Sequence, residues 1–536
     1  MMLAALRTAD VVVLFVYFAL LIGAGFYFRK RSGTVDGFTV ANRSLPGWVV
    51  GLSVFGTYLS SNTFIGVPGK AYGMNWNGFV FSLSLPIAAF ISVKWFVPFY
   101  RRHAGLSAYE HLETRFGAWA RVYAVVCYLL TQVSRVGTIM FGVSVGLHAL
   151  TGWDIAAIIL VSGFAVTLYT LLGGIEAVIW TDAIQSVILT LGAVVVVVLI
   201  LTGMPEGPGQ ALRLANDAGK FSLGDFGASL APVAPYAQST FWVMLAYGVV
   251  MNLTNFGIDQ NFVQRYHAAD SEKAAGRSVW MGSLLYMPVA LMFFFIGAIL
   301  FSYYEANPEL LQEVKLAKAA ERVAETLPGL ANGSPEAFAE AKRLASGMQP
   351  VDYGDKVLPH FIANKIPVGL AGLLIAALFA AAMSSIDTSL NSSSTIALQD
   401  FYRRWARPDA DEAQSLRFLR VMTVMWGIIG TGVALAMMGV QSILDAWWKL
   451  SGVFAGGMLG LFLLGFISRR ASNAGAVIGA VVGLLVILWL TFSPGFTGDL
   501  EWLRSPFHAH MTAIIGTLSI FLVGLGTSRF LGRGNG

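Results

Sequence analysis

"AAAMSSIDTSLNSSSTI", running from Ala380 to Ile396, decides how this chain is read. It holds an aspartate, an asparagine and eight hydroxyls in seventeen residues, and it continues the apolar run from Val368 to Phe379 with no turn signal between them. The segment 367–398 therefore reads as one membrane helix, since a crossing takes about 20 mostly apolar residues. Helical spacing puts Ser384, Asp387, Thr388 and Asn391 on one face, with Ser385 and Ser392 at its edge. A lone serine at membrane depth can bond back to its own helix at little cost. A carboxylate there is expensive unless it is paired, protonated or facing a wet cavity. Hard oxygen ligands suit sodium, as they suit other hard cations.

The rest of the chain sets this helix in a polytopic membrane protein. Of 536 residues, 56% are hydrophobic and 12% are charged, whereas a soluble domain carries about 25% charged residues. A single cysteine, Cys127, excludes an intrachain disulfide, and the seven histidines have no metal-ligand spacing. No Walker loop, dinucleotide fingerprint or nucleophile elbow occurs, which argues against an enzyme and against ATP-driven transport by this chain alone. The first apolar segment follows one arginine and has no small-residue cleavage site, so it is expected to be a retained helix.

Thirteen segments qualify as spans: 9–28, 46–72, 78–99, 119–149, 154–173, 178–202, 237–258, 276–303, 367–398, 417–438, 443–467, 473–493 and 508–528. They are counted here as spans 0 to 12. Basic residues fall in alternate loops: Arg29, Lys30, Arg31 and Arg43; Arg101, Arg102 and Arg115; Arg265, Lys273 and Arg277; Arg403, Arg404, Arg407 and Arg417; Arg469 and Arg470; and the tail's Arg529 and Arg533. The positive-inside rule then predicts an N-terminus outside and a cytoplasmic C-terminus, and the expected location is the cell's inner (plasma) membrane. The longest loops, 203–236 and 304–366, fall outside, the second of them partly helical by its Ala/Glu/Lys content.

Span 1 is rich in glycine and hydroxyls, and span 6 carries Asn252, Thr254, Asn255 and Gly257 at its centre. Irregular backbone survives at this depth only around a protein-lined cavity. Two such helices, five apart and oppositely directed, fit inverted repeats of spans 1–5 and 6–10 with a midplane site; close packing around glycine is the other reading. A second acid, Asp182, sits early in span 5, where it either flanks a cation with Asp387 or anchors the helix at the interface. Arg135 lies about 16 residues inside span 3, too deep to snorkel easily. It is suited to a carboxylate substrate, or to an internal ion pair with Asp182 or Asp387. Lys449, after Trp447 and Trp448, is a further buried-looking cation with no role assigned.

Four stretches in order carry a family likeness: "LPGWVVGLSVFGTYLSSNTFIG" in span 1, "GGIEAVIWTDAIQ" before span 5, "GIDQNFVQRY" (Gly257–Tyr266) after span 6, and the span 8 stretch quoted first. The chain resembles the sodium/solute symporter family, the group of sodium/glucose and sodium/sialic acid symporters, over spans 0 to 12. The resemblance implies an all-α membrane fold of about 13 helices with a LeuT-type inverted repeat and extra helices at both ends. It divides the chain into 1–45 (span 0 and a loop), 46–202 (first repeat), 203–236 (outer loop), 237–467 (second repeat, including loop 304–366) and 468–536 (spans 11 and 12 with a tail).

Carried over to this sequence, the principal sodium site would use backbone oxygens of Gly56, Leu59 and Ala381 with the hydroxyls of Ser384 and Ser385. A second sodium site would fall on Asp182, Ser384, Asp387 and Thr388, where Asp387 departs from the hydroxyl of the sialic acid branch. Ser60, Thr63 and Arg135 match positions that hold an acid substrate in that branch, and Thr57, Ser82, Asn255 and Phe256 join them as candidate lining. Gly78 and Ser82 do not match that branch's aromatic and glutamine, and most of a neutral-sugar site is missing. The expected activity is sodium-coupled secondary active symport of a small organic solute, most plausibly carboxylate-bearing such as sialic acid. The partners would be sodium ions, the solute and the bilayer, with no nucleic acid and no obligate protein partner. A sodium/sugar or polyol symporter is the alternative. A transporter-like sensor is disfavoured by the few residues after span 12, and a channel by the lack of a pore-loop filter.

Overall fold

Where the sequence has apolar runs the backbone is helical, and where glycine and polar residues interrupt them it breaks. The computed structural model describes residues 8–60, 62–103, 105–234, 237–327, 334–367, 369–439 and 457–530. No strand occurs among them, only two isolated bridges, Leu45 with Ala269 and Val233 with Gln238. The main helices are α1 (Thr8–Phe28), α2 (Gly47–Tyr58), α3 (Val67–Gly73), α4 (Trp76–Arg102), α5 (Glu110–Phe116), α6 (Ala118–Thr151) and α7 (Ile155–Thr202). They continue with α8 (Pro208–Asp217), α9 (Phe241–Ile258), α10 (Gln260–Ala268), α11 (Glu272–Glu305), α12 (Pro308–Thr326), α13 (Pro335–Gly347) and α14 (Pro350–Lys365). The last are α15 (Leu370–Ala397), α16 (Glu412–Ala436), α17 (Met458–Ile467), α18 (Asn473–Phe492) and α19 (Met511–Phe530). Ten helices among the described residues are long and apolar enough to cross a membrane.

Two departures from the thirteen expected spans have local causes. Span 1 is two helices, because the chain is extended at Leu59 (φ −86°, ψ 117°) and resumes as α3 after a wide-turn segment, Asn62–Gly66. Spans 4 and 5 are one run of helical hydrogen bonding, broken at Gly174 alone. Its φ of 55° and ψ of −157° suit only glycine, and a Cβ there would stand 2.9 Å from the Phe38 carbonyl oxygen. The first part of span 10, with Trp447, Trp448 and Lys449, lies outside the described residues.

Helix starts carry the expected caps: Asp154, Thr240, Ser271, Asp411 and Ser472 each accept a backbone N–H from the first turn of the helix that follows. One cap is long-range. The Asp10 carboxylate in α1 accepts from the N–H groups of Gly369 (2.8 Å) and Gly372 (2.7 Å), at the start of α15. A Cβ at Gly372 would meet the Asp10 Cα at 2.6 Å, so glycine permits the approach. Helix α1 also lies on α7, with Gly25 against Tyr169 and the Tyr17 hydroxyl accepting from Gln185 at 2.9 Å.

The loop 304–366 is mostly helical (α12, α13 and α14) and is tied together by Lys356–Glu321 and Arg322–Asp352, each at 2.9 Å. Its α14 rests on α3, where Gly69 and Gly354 meet so closely that neither has room for a side chain. In the other long loop, Lys220 donates to the last carbonyls of α3, Tyr72 (2.6 Å) and Met74 (3.1 Å), over the Phe301 ring. Burial of its ammonium lowers its pKa to about 8.

Candidate functional site

The break in α2 faces the middle of α15. Because the helix stops at Tyr58, the carbonyls of its last turn are free of the usual i+4 partners. The Gly56 carbonyl accepts from the Leu59 N–H at 2.9 Å and from the Ser384 hydroxyl of α15 at 3.3 Å. Leu59, Ala381, Ser384 and Ser385 are all buried. The Ser385 Oγ has no hydrogen-bond partner among the described residues. A buried hydroxyl without a partner forfeits about 1–3 kcal/mol, so this atom suits a ligand that the protein does not itself supply. Gly56 also has a packing reason: a Cβ would stand 2.5 Å from the Ser186 hydroxyl oxygen of α7. Among the described residues no group of three histidine, cysteine or acidic side chains could hold a metal, so any cation here would be held mainly by carbonyls and hydroxyls, with fewer than three such side chains.

Behind this pair stands a buried charge network. Asp182 Oδ2 accepts from Ser53 (2.6 Å) and from the guanidinium of Arg265 (2.6 Å), and Asp182 and Arg265 are both fully buried. Arg265 donates further to Ser53 (2.8 Å), the Asn261 carbonyl (2.8 Å) and Thr388 Oγ1 (2.8 Å). Asp182 Oδ1 is buried and accepts no hydrogen bond from a described residue. Thr388 in turn donates to the Ser384 carbonyl at 2.9 Å. Asp387 points elsewhere: its Oδ2 accepts from the Tyr169 hydroxyl and its Oδ1 from the Thr388 N–H, each at 2.5 Å. Asp182, Thr388 and Ser384 thus meet through Arg265 and one another, whereas Asp387 sits against α7 near Tyr169.

The candidate substrate residues collect around the same break. Arg135 Nη2 donates to the Thr57 carbonyl at 3.2 Å. Thr63 Oγ1 accepts from the Ser60 N–H and donates to the Tyr58 carbonyl, both at 3.3 Å. The Thr57 hydroxyl is spent on the Ser53 carbonyl of its own helix. Across from them, α9 ends at Ile258 and Asp259 turns the chain (φ −77°, ψ 122°) before capping α10. Phe256 is buried against the rings of Tyr58 and Phe262, Asn255 is half-buried, and Ser82 is buried on α4. Arg135 makes no ion pair with Asp182 or Asp387; the cation on Asp182 is Arg265.

The family model "Sodium:solute symporter family" matches residues 38–333 and 334–483. The chain belongs to the sodium:solute symporter family. The sodium/sialic acid symporters NanT of Aliivibrio fischeri and SiaT of Proteus mirabilis are each 32% identical to this family member over 96% of its chain, covering 92% and 93% of their own. A solved Na⁺-coupled sialic acid symporter, substrate-bound and outward-open, superposes with a TM-score of 0.82 at 29% identity over 99% of both chains.

Two residues of this symporter-family chain were misread or missed from sequence. Arg265 counted as a loop cation in the orientation argument, but it is fully buried. The nearby Lys273 and Arg277 still mark that loop as basic. The available signal was its place one turn after Asn261 in a chain whose Asp182 lacked an obvious cation. Asp259, inside the quoted "GIDQNFVQRY", was passed over although it is an acid at the end of a span.

Proposed function

We propose that this chain couples uptake of a small carboxylate-bearing solute, of the sialic acid class, to the inward sodium gradient by alternating access, and that it is a transporter and not an enzyme. The observation that carries the reading is the Ser384 hydroxyl on the Gly56 carbonyl with the neighbouring Ser385 hydroxyl unsatisfied, next to the Thr57 carbonyl that accepts from Arg135 of α6. In this reading sodium binds Gly56, Leu59, Ala381, Ser384 and Ser385, and the solute carboxylate binds Arg135 with Ser60 and Thr63, near Thr57, Ser82, Asn255 and Phe256. The breaks at Leu59 and Asp259 support inverted repeats within 46–202 and 237–467, with 1–45 and 468–536 as flanking helices. The alternating basic loops support an N-terminus outside and a cytoplasmic C-terminus, and the family supports a multi-pass protein of the plasma membrane.

Reconstituted liposomes with labelled sialic acid, monocarboxylates and neutral sugars, with and without a sodium gradient, test the reading. Ser384→Ala and Ser385→Ala should each raise the sodium concentration for half-maximal uptake. Uptake by the wild type that ignores sodium overturns it.

A second sodium ion would sit at Asp182, Ser384, Asp387 and Thr388, and the unpartnered Asp182 Oδ1 supports it. Two sodium ions with a monovalent anion move one net charge, worth about 2.3 kcal/mol at 100 mV. Wild-type uptake is then electrogenic with a sodium Hill coefficient above one, and Asp182→Asn lowers that coefficient toward one. A wild type that moves an anionic solute with no current removes the second ion from the scheme.

A further inference from the structure

On the membrane-facing surface, away from the site, a groove of about 470 Å³ is lined by Arg29, Leu171, Leu172, Arg420, Val421 and Val424. It lies where the end of α1, the part of α7 just before its Gly174 break and the start of α16 meet. Apart from its two arginines, the lining is leucine and valine. The surrounding surface is apolar too, with Phe164, Val421 and Ile428 more than half exposed, as expected of helices that face acyl chains. Neither guanidinium makes an ion pair or hydrogen bond with a described residue. By contrast, nearby Arg31 is taken by Glu176 at 2.7 Å. Arg121 and Arg404 are taken by Glu113 and Asp400.

We propose that this groove binds an anionic glycerophospholipid, with its phosphate between Arg29 and Arg420 and an acyl chain along Leu171, Leu172, Val421 and Val424. The charge pattern selects the occupant. Two guanidinium forks above an apolar trough need an anion at one end and hydrocarbon below it, and arginine matches a phosphate through paired N–H groups. Basic pockets between membrane helices on the cytoplasmic side are where acidic headgroups are held. A zwitterionic lipid brings its own cation and leaves the two arginines half-satisfied. Only the choice of leaflet rests on the orientation proposed above; binding in detergent reads the site without it.

The test uses the purified full chain in a neutral detergent, with native mass spectrometry of bound phosphatidylglycerol and phosphatidylcholine. Phosphatidylglycerol is expected to bind at least tenfold tighter than phosphatidylcholine. Arg29→Gln with Arg420→Gln should erase that preference, while Arg469→Gln with Arg470→Gln, elsewhere on the basic side, should leave it intact. Val424→Trp keeps both charges and fills the trough, and should weaken phosphatidylglycerol binding at least tenfold. This arm stands if the double arginine variant fails to fold. Equal loss from the Arg469 and Arg470 pair would make the attraction a diffuse charge effect and overturn the site. Displacement of the lipid by inorganic phosphate or glycerol phosphate would make it a phosphate site, and would also overturn it. Full retention of binding in the Val424→Trp protein would remove the acyl trough from the proposal.

Discussion

Replacing Arg265 by methionine is expected to cost about 3–5 kcal/mol of stability, the usual penalty for removing one partner of a buried ion pair. Arg265 and Asp182 are both fully buried, and Arg265 makes four hydrogen bonds, to Ser53, Asn261, Asp182 and Thr388, that link α2, α7, α10 and α15. Methionine fills much of the volume but leaves Asp182 with no cation. Arg265→Met together with Asp182→Asn should recover most of the loss, because the orphaned charge is then gone. Thermal unfolding in detergent at several sodium concentrations checks this. The single variant should also gain more from added sodium than the wild type, since a cation that binds only the folded state stabilises it by mass action. Melting of Arg265→Met at the wild-type temperature would show that the pair holds nothing together.

Replacing Arg135 by alanine is expected to weaken solute binding at least about 30-fold, the fold-change that corresponds to the lower end of the 2–5 kcal/mol lost when one partner of a buried charge pair is truncated. Sodium binding should persist, because Arg135 touches the Thr57 carbonyl and not the Gly56–Ser384 contact. Isothermal titration of solute at saturating sodium, and of sodium without solute, separates the two. Arg135→Lys keeps the charge but loses the fork, and should fall between the wild type and alanine. Unchanged solute affinity in Arg135→Ala would make the arginine a structural partner of the Thr57 carbonyl.

The sequence showed where helices run because a spanning helix is written in one dimension, as a run of apolar residues. It also hinted at the breaks, since the polar and glycine-bearing centres of spans 1 and 6 lie close to the extended residues Leu59 and Asp259. It did not show that spans 4 and 5 join through Gly174 alone, because a double glycine looks the same in a loop and at a kink. Arg265 was illegible for a different reason. An arginine a few residues past an apolar run looks like a loop cation, and only its contact with Asp182, 83 positions away, makes it an interior residue. The contact between Ser384 and Gly56 spans 328 positions, and resemblance, not spacing, brought those two residues together on paper.

The cap that Asp10 places on the start of α15 has a consequence for how the protein is made. Asp10 leaves the ribosome well before the amides it serves, which belong to Gly369 and Gly372, 359 and 362 positions later. At roughly 5–20 residues per second, they follow on the order of half a minute behind. Until then α1 waits in the bilayer with an unsatisfied carboxylate in its first turn, and the helix carrying Ser384 and Asp387 has no counterpart for its opening N–H groups. The last act of assembly in this part of the molecule is therefore the closing of α1 onto the start of α15, and a chain with Asp10→Ala would be synthesised and inserted normally yet lose the bonds of that final closing.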